Sequence, residues 1–285
     1  MILTKTTGAK VFKIFVSALL VLVMSLSLFG CGDGKKDNGA ADATLNATVE
    51  PTEVPVYNEG TYGSKIGEVA DAQNAETFFV CVGKGTSFCT FYAYKKVDGV
   101  WEERFVVDGY WGRNGINTDP ANRVAGDGTT PAGVYFLAER FGIQAAPEGY
   151  EGEYCKVKHS DYWDGNSNSP TYNQHVKIYD MPDGWNPRGS EHLIDYEISY
   201  DYCTMINFNV APTIPRIGSC IFLHCTYPGE TGSSGCISIP TEKMIEALCM
   251  MDDSPSYIMV LPDADSFDEY KDFAWETEAE KHIKR

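Results

Sequence analysis

The middle of the chain is built from short aromatic and β-branched segments separated by turns rich in Gly, Pro and Asn. Asp98-Gly99, for example, supplies the residues of a tight hairpin turn between SFCTFYAY at 87–94 and VWEERFVV at 100–107. Because segments of this length and composition form strands, the chain is predicted to be mainly β with a few helices. The predicted strands are 77–83, 87–94, 100–107, 133–138, 175–179, 203–209, 218–225 and 257–261.

Two segments have the apolar spacing of amphipathic helices, one at 64–74 and one at 241–251. Beyond Pro262 the chain is charged and weakly patterned. We therefore expect a polar C-terminal tail at 264–285, whose aromatic residues either pack on the domain or lie on its surface. The apolar stripes consist of Ile66, Val69 and Ala70 in the first helix and Met244, Ile245, Leu248 and Met251 in the second.

The first thirty residues differ in composition from the rest of the chain. Three lysines, the last of them Lys13, precede an uncharged run of 16 residues at 14–29. A membrane-spanning helix needs about 20 apolar residues, so the run favours a secretory signal peptide at 1–30. It ends in LFGC at 28–31, which resembles a bacterial lipobox with Cys31 as the lipidated residue. The alternative is an uncleaved anchor, and either arrangement puts the domain outside the cytoplasmic membrane.

The segment 31–62 is polar, contains Pro and Gly and lacks apolar periodicity, so it is predicted to be a disordered tether. This leaves one folded domain at 63–263. The formal net charge of -17 excludes nucleic acid as a partner, because phosphate binding needs clustered Lys and Arg. The nine cysteines do not have the spacing of a disulfide framework, and we assign no bridge.

One pair of residues carries the chemistry that a nucleophilic enzyme needs. His224 ends an apolar run, and Cys236 follows the small residues Ser233, Ser234 and Gly235. An imidazole can take the thiol proton and later give it to a leaving amine. Small residues before the cysteine allow backbone N–H groups to converge on a reacting carbonyl oxygen. The alternative, from spacing alone, is a core histidine beside an inert buried thiol.

Other chemistries receive less support from the residue pattern. If 218–225 is a strand, then His224 and Cys225 point to opposite faces, which disfavours a shared metal. No C-x-x-C pair is present either, so we expect no metal. Ser233 and Ser234 lack the G-x-S-x-G context of a serine nucleophile. The remaining central histidines are interpreted as structural or exposed; they are His159, His175 and His192.

Several motifs in order resemble the L,D-transpeptidase catalytic domain family, the YkuD-like proteins, over roughly 77–262. The signature GSCIFLH at 218–224 with SSGCI at 233–237 is similar to the active-site sequence of that family. Upstream similarities are YWGRNG at 110–115, GDGTTPAGVY at 126–135, Phe141-Gly142, the Trp163 to Asn173 segment and EHL at 191–193. The resemblance implies an L,D-transpeptidase-like β-sandwich of mixed sheets.

The resemblance also implies roles for individual residues. Cys236 matches the nucleophile and His224 the general base, which a backbone carbonyl, here that of Cys225, would orient. The amides of Gly235 and Cys236 would form the oxyanion hole. For substrate binding we expect contacts from Ser233, Ser234 and Arg216, with Arg113, Arg123 and Arg188 as the other candidate carboxylate-binding arginines. Ser234 stands where many members of the family have a second histidine.

The implied function is a cysteine-dependent L,D-transpeptidase that acts on peptidoglycan stem peptides through a thioester and forms 3-3 cross-links. Such chemistry needs no cofactor. The alternatives are an L,D-carboxypeptidase that trims tetrapeptide stems and a catalytically silent cell-wall-binding lipoprotein. We expect a monomer in the bacterial cell envelope, attached to the membrane through its N-terminal lipid anchor.

Overall fold

The computed structural model describes residues 58–252 and 254–283. Residues 1–57, which contain the predicted signal peptide, Cys31 and most of the predicted tether, lie outside the described residues. The strands are β1 Thr77–Gly83, β2 Phe88–Val97, β3 Val100–Tyr110, β4 Ile116–Asn117, β5 Thr130–Pro131, β6 Gly133–Gly142, β7 Cys155–Lys156, β8 Asp161–Trp163, β9 His175–Lys177, β10 Glu191–His192, β11 Cys203–Ile206, β12 Phe222–Cys225, β13 Ile237–Ile239 and β14 Ser256–Leu261.

Four α-helices and four short 3₁₀ turns accompany these strands in the described part of the chain. The helices are α1 Gly63–Ala72, α2 Thr241–Met250, α3 Phe267–Tyr270 and α4 Trp275–Ile283. The 3₁₀ turns are Pro120–Asn122, Ile178–Asp180, Leu193–Asp195 and Ala264–Ser266. Within the described residues, no helix is both long enough and apolar enough to cross a membrane.

Nine strands form one mixed sheet in the order β11-β12-β13-β3-β2-β1-β14-β6-β7. β6 also pairs with β11, with Phe141 opposite Cys203 and Leu137 opposite Ile206, so the sheet curls and closes on itself. A three-stranded sheet, β10-β8-β9, and a two-stranded sheet, β4-β5, complete the domain. The prediction of a mainly β domain of mixed sheets with a few helices is confirmed.

Local sequence explains the first hairpin. β2 and β3 pair antiparallel from Val97 opposite Val100 outward. Asp98 and Gly99 at the turn both have positive φ values, 50° and 83°. A two-residue turn of this kind needs φ above zero at both positions, which Gly adopts freely and Asp tolerates. The predicted hairpin is therefore present at the predicted residues.

The helices cover the sheet through their apolar stripes. In α1 the predicted residues Ile66, Val69 and Ala70 are buried. In α2 the burial differs slightly from the prediction, because Ala247 is fully buried whereas Ile245 is only half-buried. Met244, Leu248 and Met251 of the same stripe are fully buried in the main core.

The C-terminal segment differs from the expected polar tail. Residues 264–283 form α3 and α4 and pack against the domain, since Phe267, Tyr270 and Trp275 are each at most 5% exposed. The Trp275 indole lies 4.9 Å from the Phe208 ring, and its Nε1–H donates to the Pro212 carbonyl. At the other end, Tyr62 was expected in the tether but is buried, and its N–H donates to the Tyr94 hydroxyl.

If α4 is part of the core, Trp275→Ala should destabilise the domain by about 3–5 kcal/mol, the range for removing a buried large aromatic side chain. Thr277→Ala, an exposed position of the same helix, is the matched control and should change stability by less than about 0.5 kcal/mol. Urea unfolding followed by tryptophan fluorescence and circular dichroism measures both. Equal stabilities of the two variants would show that the segment only covers the surface.

Candidate active site

Parallel pairing of β12 with β13 brings the histidine and the cysteine together. Leu223 lies opposite Ile237, and His224 lies opposite Ser238. Side chains alternate along a strand, so Cys236, two residues before Ser238, lies on the face of His224. Cys225 points the other way, where its Sγ contacts the Tyr202 carbonyl oxygen at 3.6 Å.

The strand before His224 is shorter than predicted. Only Phe222–Cys225 is extended, because Gly218 and Cys220 have φ values of 124° and 57°, which interrupt a strand. The carbonyl of Cys220 instead lies 3.2 Å from Cys236 Sγ and accepts its proton. The prediction of a strand from 218 was therefore wrong for its first four residues.

The Cys236 thiol is held in a desolvated place. The residue is 7% exposed, and its Sγ also accepts the N–H of Phe222 at 3.4 Å. Burial raises the pKa of Cys236 to about 12, and the negative charge of Glu191 adds to the increase against the opposing effects of the Phe222 amide and Arg123. At neutral pH the sulfur therefore carries its proton.

The His224 ring is oriented as the family resemblance implied. Its Nδ1 lies 2.9 Å from the Cys225 carbonyl oxygen, which can only accept, so Nδ1 carries the proton and Nε2 has the free lone pair. The ring packs edge-on against Tyr200. Burial lowers the pKa of His224 to about 4 despite that hydrogen bond, so the imidazole is neutral at pH 7.

Both residues line one cleft of about 730 Å³. The thiol proton is directed at the Cys220 carbonyl rather than at the imidazole. The opposite pKa shifts of the two groups describe a neutral thiol and a neutral ring in the same cleft. The physical reason is burial, which disfavours the charged form of each group. Such a pair suits proton transfer during attack rather than a resting thiolate.

The turn before the cysteine is braced by its own serine. Ser233 Oγ accepts the Gly235 N–H at 2.9 Å and donates to the Cys236 carbonyl at 2.6 Å. Gly235 has φ 143°, and a Cβ there would lie 2.8 Å from the Thr129 carbonyl oxygen, so the position requires glycine. Of the two amides expected in the oxyanion hole, that of Gly235 is thus occupied, and that of Cys236 is the remaining candidate.

Three of the candidate arginines occupy very different places. Arg113 lines the cleft, and its Nη1 donates to Ser234 Oγ at 2.9 Å. Arg123 is 3% exposed behind the turn, where it donates to backbone carbonyls and pairs with Asp127. Arg216 is exposed and does not line the cleft, so the position does not support the predicted contact with substrate. The other two predicted substrate contacts, Ser233 and Ser234, do line the cleft.

The cleft is also lined by four carboxylates, none of which was predicted to belong to the site. Glu191 accepts a 2.5 Å hydrogen bond from the Tyr200 hydroxyl, and burial raises its pKa to about 7 against the effect of that bond. Glu230 accepts from Ser238 Oγ at 2.9 Å, and burial raises its pKa too. Asp195 and Glu197 also line the cleft. The available sequence signal was the EHL motif at 191–193, in which Glu191 had no predicted role.

Comparison with known proteins assigns a family to most of the domain. The family model described as the L,D-transpeptidase catalytic domain, YkuD, matches residues 65–254, about two thirds of the chain. Two similar solved structures are those of the helical cell shape determining protein Pgp2 from Campylobacter jejuni and of a mutant of it. Each is 14% identical to this chain, with a TM-score of 0.35 over 66% of the chain.

The chain spans about half the length of those structures, 49% of one and 48% of the other. No curated protein sequence matches it at a significant level. The family match covers β12 with His224, Cys236 with the strand β13 that follows it, and the helix α2. The chain therefore belongs to the YkuD family of L,D-transpeptidase catalytic domains.

Proposed function

We propose that this protein is a cysteine-dependent L,D-transpeptidase that acts on peptidoglycan stem peptides and forms 3-3 cross-links. The observation that carries the proposal is the position of Cys236 and His224 on one face of two paired strands, at the floor of one cleft. Membership of the YkuD family supports the same chemistry.

The first half of the proposed reaction forms a thioester. Cys236 Sγ attacks the carbonyl that joins the third residue of the donor stem, a diamino acid, to a terminal D-alanine. His224 Nε2 takes the thiol proton as the sulfur–carbon bond forms. The imidazolium then gives this proton to the amine of D-alanine as the carbon–nitrogen bond breaks. The Cys236 amide stabilises the oxyanion of the tetrahedral intermediate.

The second half returns the enzyme to its starting state. A side-chain amine of a second stem attacks the thioester carbonyl, and His224 takes the proton from that amine. The carbon–sulfur bond breaks, and the proton passes to the departing Cys236 sulfur. The product is an amide between the two stems, and no cofactor is consumed.

The charges of the cleft support a substrate that carries both signs. Four carboxylates line the cleft and suit the ammonium group of an incoming amine, which a carboxylate can bind and then deprotonate; they are Glu191, Asp195, Glu197 and Glu230. Arg113, on the wall of the serine turn, suits a stem carboxylate. Arg113 replaces Arg216 as the candidate carboxylate ligand for this reason.

We also propose that the domain works outside the cytoplasmic membrane, attached through a lipid on Cys31. The support is the sequence at 14–31 alone. Labelled palmitate should enter the full chain expressed in a bacterium and should not enter the Cys31→Ala variant. Equal labelling of both chains, or of neither, would contradict the lipid anchor.

A covalent trap tests the nucleophile. Incubation with a carbapenem, whose strained amide an active thiol opens, should add the mass of one inhibitor to the full-length protein by forming an acyl-enzyme. Cys236→Ala should abolish the adduct, and His224→Gln should slow its formation by about 10²–10⁴-fold, the usual contribution of a general base. Intact-protein mass spectrometry measures both.

The matched control for this trap is Cys249→Ala, which removes another partly buried thiol that lies outside the cleft and should leave the adduct unchanged. A folded wild-type protein that forms no adduct would favour the silent wall-binding alternative. Digestion of cell-wall material after incubation with the protein distinguishes the two enzymatic functions. Cross-linked dimers indicate an L,D-transpeptidase, and shortened tripeptides indicate an L,D-carboxypeptidase.

Because the thiol and the imidazole are both neutral at rest, the alkylation rate of Cys236 should depend on pH in a specific way. Because burial raises the pKa of Cys236 to about 12, its alkylation by iodoacetamide should still accelerate between pH 8 and 10. Glu191→Gln removes a charge that raises this pKa, so the variant should react several-fold faster above pH 7. Below pH 7 the wild-type Glu191 is itself protonated, and the two rates should converge.

Rates at Cys236 are measured by mass spectrometry of its peptide, which separates it from the other cysteines. The matched control is Glu197→Gln. This variant removes an exposed carboxylate that lines the same cleft, and its rate should be close to that of the wild type. A rate that reaches its plateau by pH 7 would instead show a resting thiolate–imidazolium pair.

A further inference from the structure

Outside the cleft, three side chains of types that bind metals lie close together. They are found where the large nine-stranded sheet meets the small three-stranded sheet. Glu139 lies on β6, Cys155 begins β7 and His175 begins β9. One ligand atom from each, a carboxylate oxygen, a thiol sulfur and an imidazole nitrogen, lies within 4.8 Å of the other two. All three residues are partly buried.

The imidazole in this cluster is held as a metal-binding histidine usually is. His175 Nε2 lies 3.1 Å from Asp161 Oδ1, and Asp161 is only 1% exposed. The second oxygen of Asp161 accepts the Lys158 amide N–H at 2.7 Å, which fixes the carboxylate. A carboxylate that accepts the Nε2 proton leaves the Nδ1 lone pair for a ligand, and such outer partners accompany most metal-bound histidines.

The other ring nitrogen faces Glu139, with which it is paired in the absence of an ion. His175 Nδ1 lies 2.5 Å from Glu139 Oε1. The ring stacks on Trp163 with an interplanar angle of 16° and also contacts Phe141, so its rotamer is set by packing. The ligand geometry is therefore largely present before any ion binds.

The donor set selects the class of ion. Mixed sulfur, nitrogen and oxygen ligands suit Zn²⁺ and related transition metals, whereas Ca²⁺ and Mg²⁺ take oxygen ligands. Bonds of about 2.0–2.3 Å place the ligand atoms of a tetrahedral zinc site roughly 3.2–3.8 Å apart. The observed separations require shifts of at most about an ångström, and a water molecule would supply the fourth ligand.

We propose that Glu139, Cys155 and His175 form a zinc-class metal site that joins the three-stranded sheet to the large sheet. Asp161 orients His175 from outside the coordination sphere. Glu139 and Cys155 belong to the large sheet, and His175 and Asp161 to the small one. The small sheet also contains Glu191, which pairs with Trp163 across β10 and β8 and lines the catalytic cleft. The ion would therefore stabilise the position of Glu191 in that cleft without contacting the substrate.

This site was not expected from the sequence. His175 was interpreted as structural or exposed, and no metal was predicted, because no closely spaced Cys or His pair is present. The ligands come from three strands separated by loops, so their spacing of 16 and 20 residues resembles no metal motif. Only the sheet geometry brings them together.

The test is metal binding by the full-length reduced protein. After removal of metal with a chelator and dialysis against micromolar Zn²⁺, elemental analysis should find about one zinc per chain. Co²⁺ in its place should give a thiolate-to-cobalt charge-transfer band in the near ultraviolet. Cys155→Ser and His175→Ala should each weaken Zn²⁺ binding by at least about tenfold and abolish or shift that band.

Two control variants separate this site from other thiols. Cys249→Ser removes a partly buried thiol whose Sγ contacts the Glu148 carbonyl, and it should bind metal as the wild type does. Cys236→Ala should also keep the zinc; loss of zinc in this variant would locate the ion in the cleft and overturn the proposal. Zn²⁺ should raise the melting temperature of the wild type and not that of Cys155→Ser.

The competing interpretation is an ion-pair network in which His175 lies between Glu139 and Asp161 and the thiol is a bystander. It predicts equal zinc content in the wild type and in Cys155→Ser, and no charge-transfer band. That result would overturn the proposed site. It would leave the proposed function intact, since the carbapenem adduct at Cys236 does not depend on zinc.

Discussion

The pairing of two short parallel strands determines what this domain can do. His224 and Cys236 are twelve residues apart in sequence, and the segment between them is mostly polar and contains three glycines. Only the register of β12 against β13 puts both side chains on one face. A shift of this register by one residue would turn one of them into the core, because side chains alternate between faces. The core residues Leu223 and Ile237, both fully buried, stabilise that register.

Desolvation is the second constraint, and it decides the form of the catalytic step. Burial raises the pKa of Cys236 to about 12 and lowers that of His224 to about 4, so both groups are neutral at pH 7. In the proposed reaction, bond formation between sulfur and the substrate carbonyl therefore accompanies the proton transfer.

The sequence predicted the parts of the fold that depend on local chemistry. The Asp98-Gly99 hairpin and the buried face of α1 follow from turn preferences and apolar spacing, and both are present. Closure of the sheet through β6 and β11 could not be predicted, because it joins residues more than 60 positions apart. The C-terminal helices were not predicted for a related reason. Their few aromatic residues are buried because they pack against core residues that are distant in sequence, such as Phe208.

The candidate site divides in the same way. Cys236 and His224 could be proposed from the sequence because two short motifs that resemble the family signature contain them, and the Cys225 carbonyl follows His224 directly. Arg216 was chosen for its nearness in sequence to the His224 strand, but its backbone turns with φ 71° and leaves the side chain in solvent. Arg113 reaches the cleft because Gly112, its neighbour, forms a bridge with Ser233. Glu191 is brought to the cleft by the pairing of β10 with β8, so its position there could not be predicted from the sequence alone.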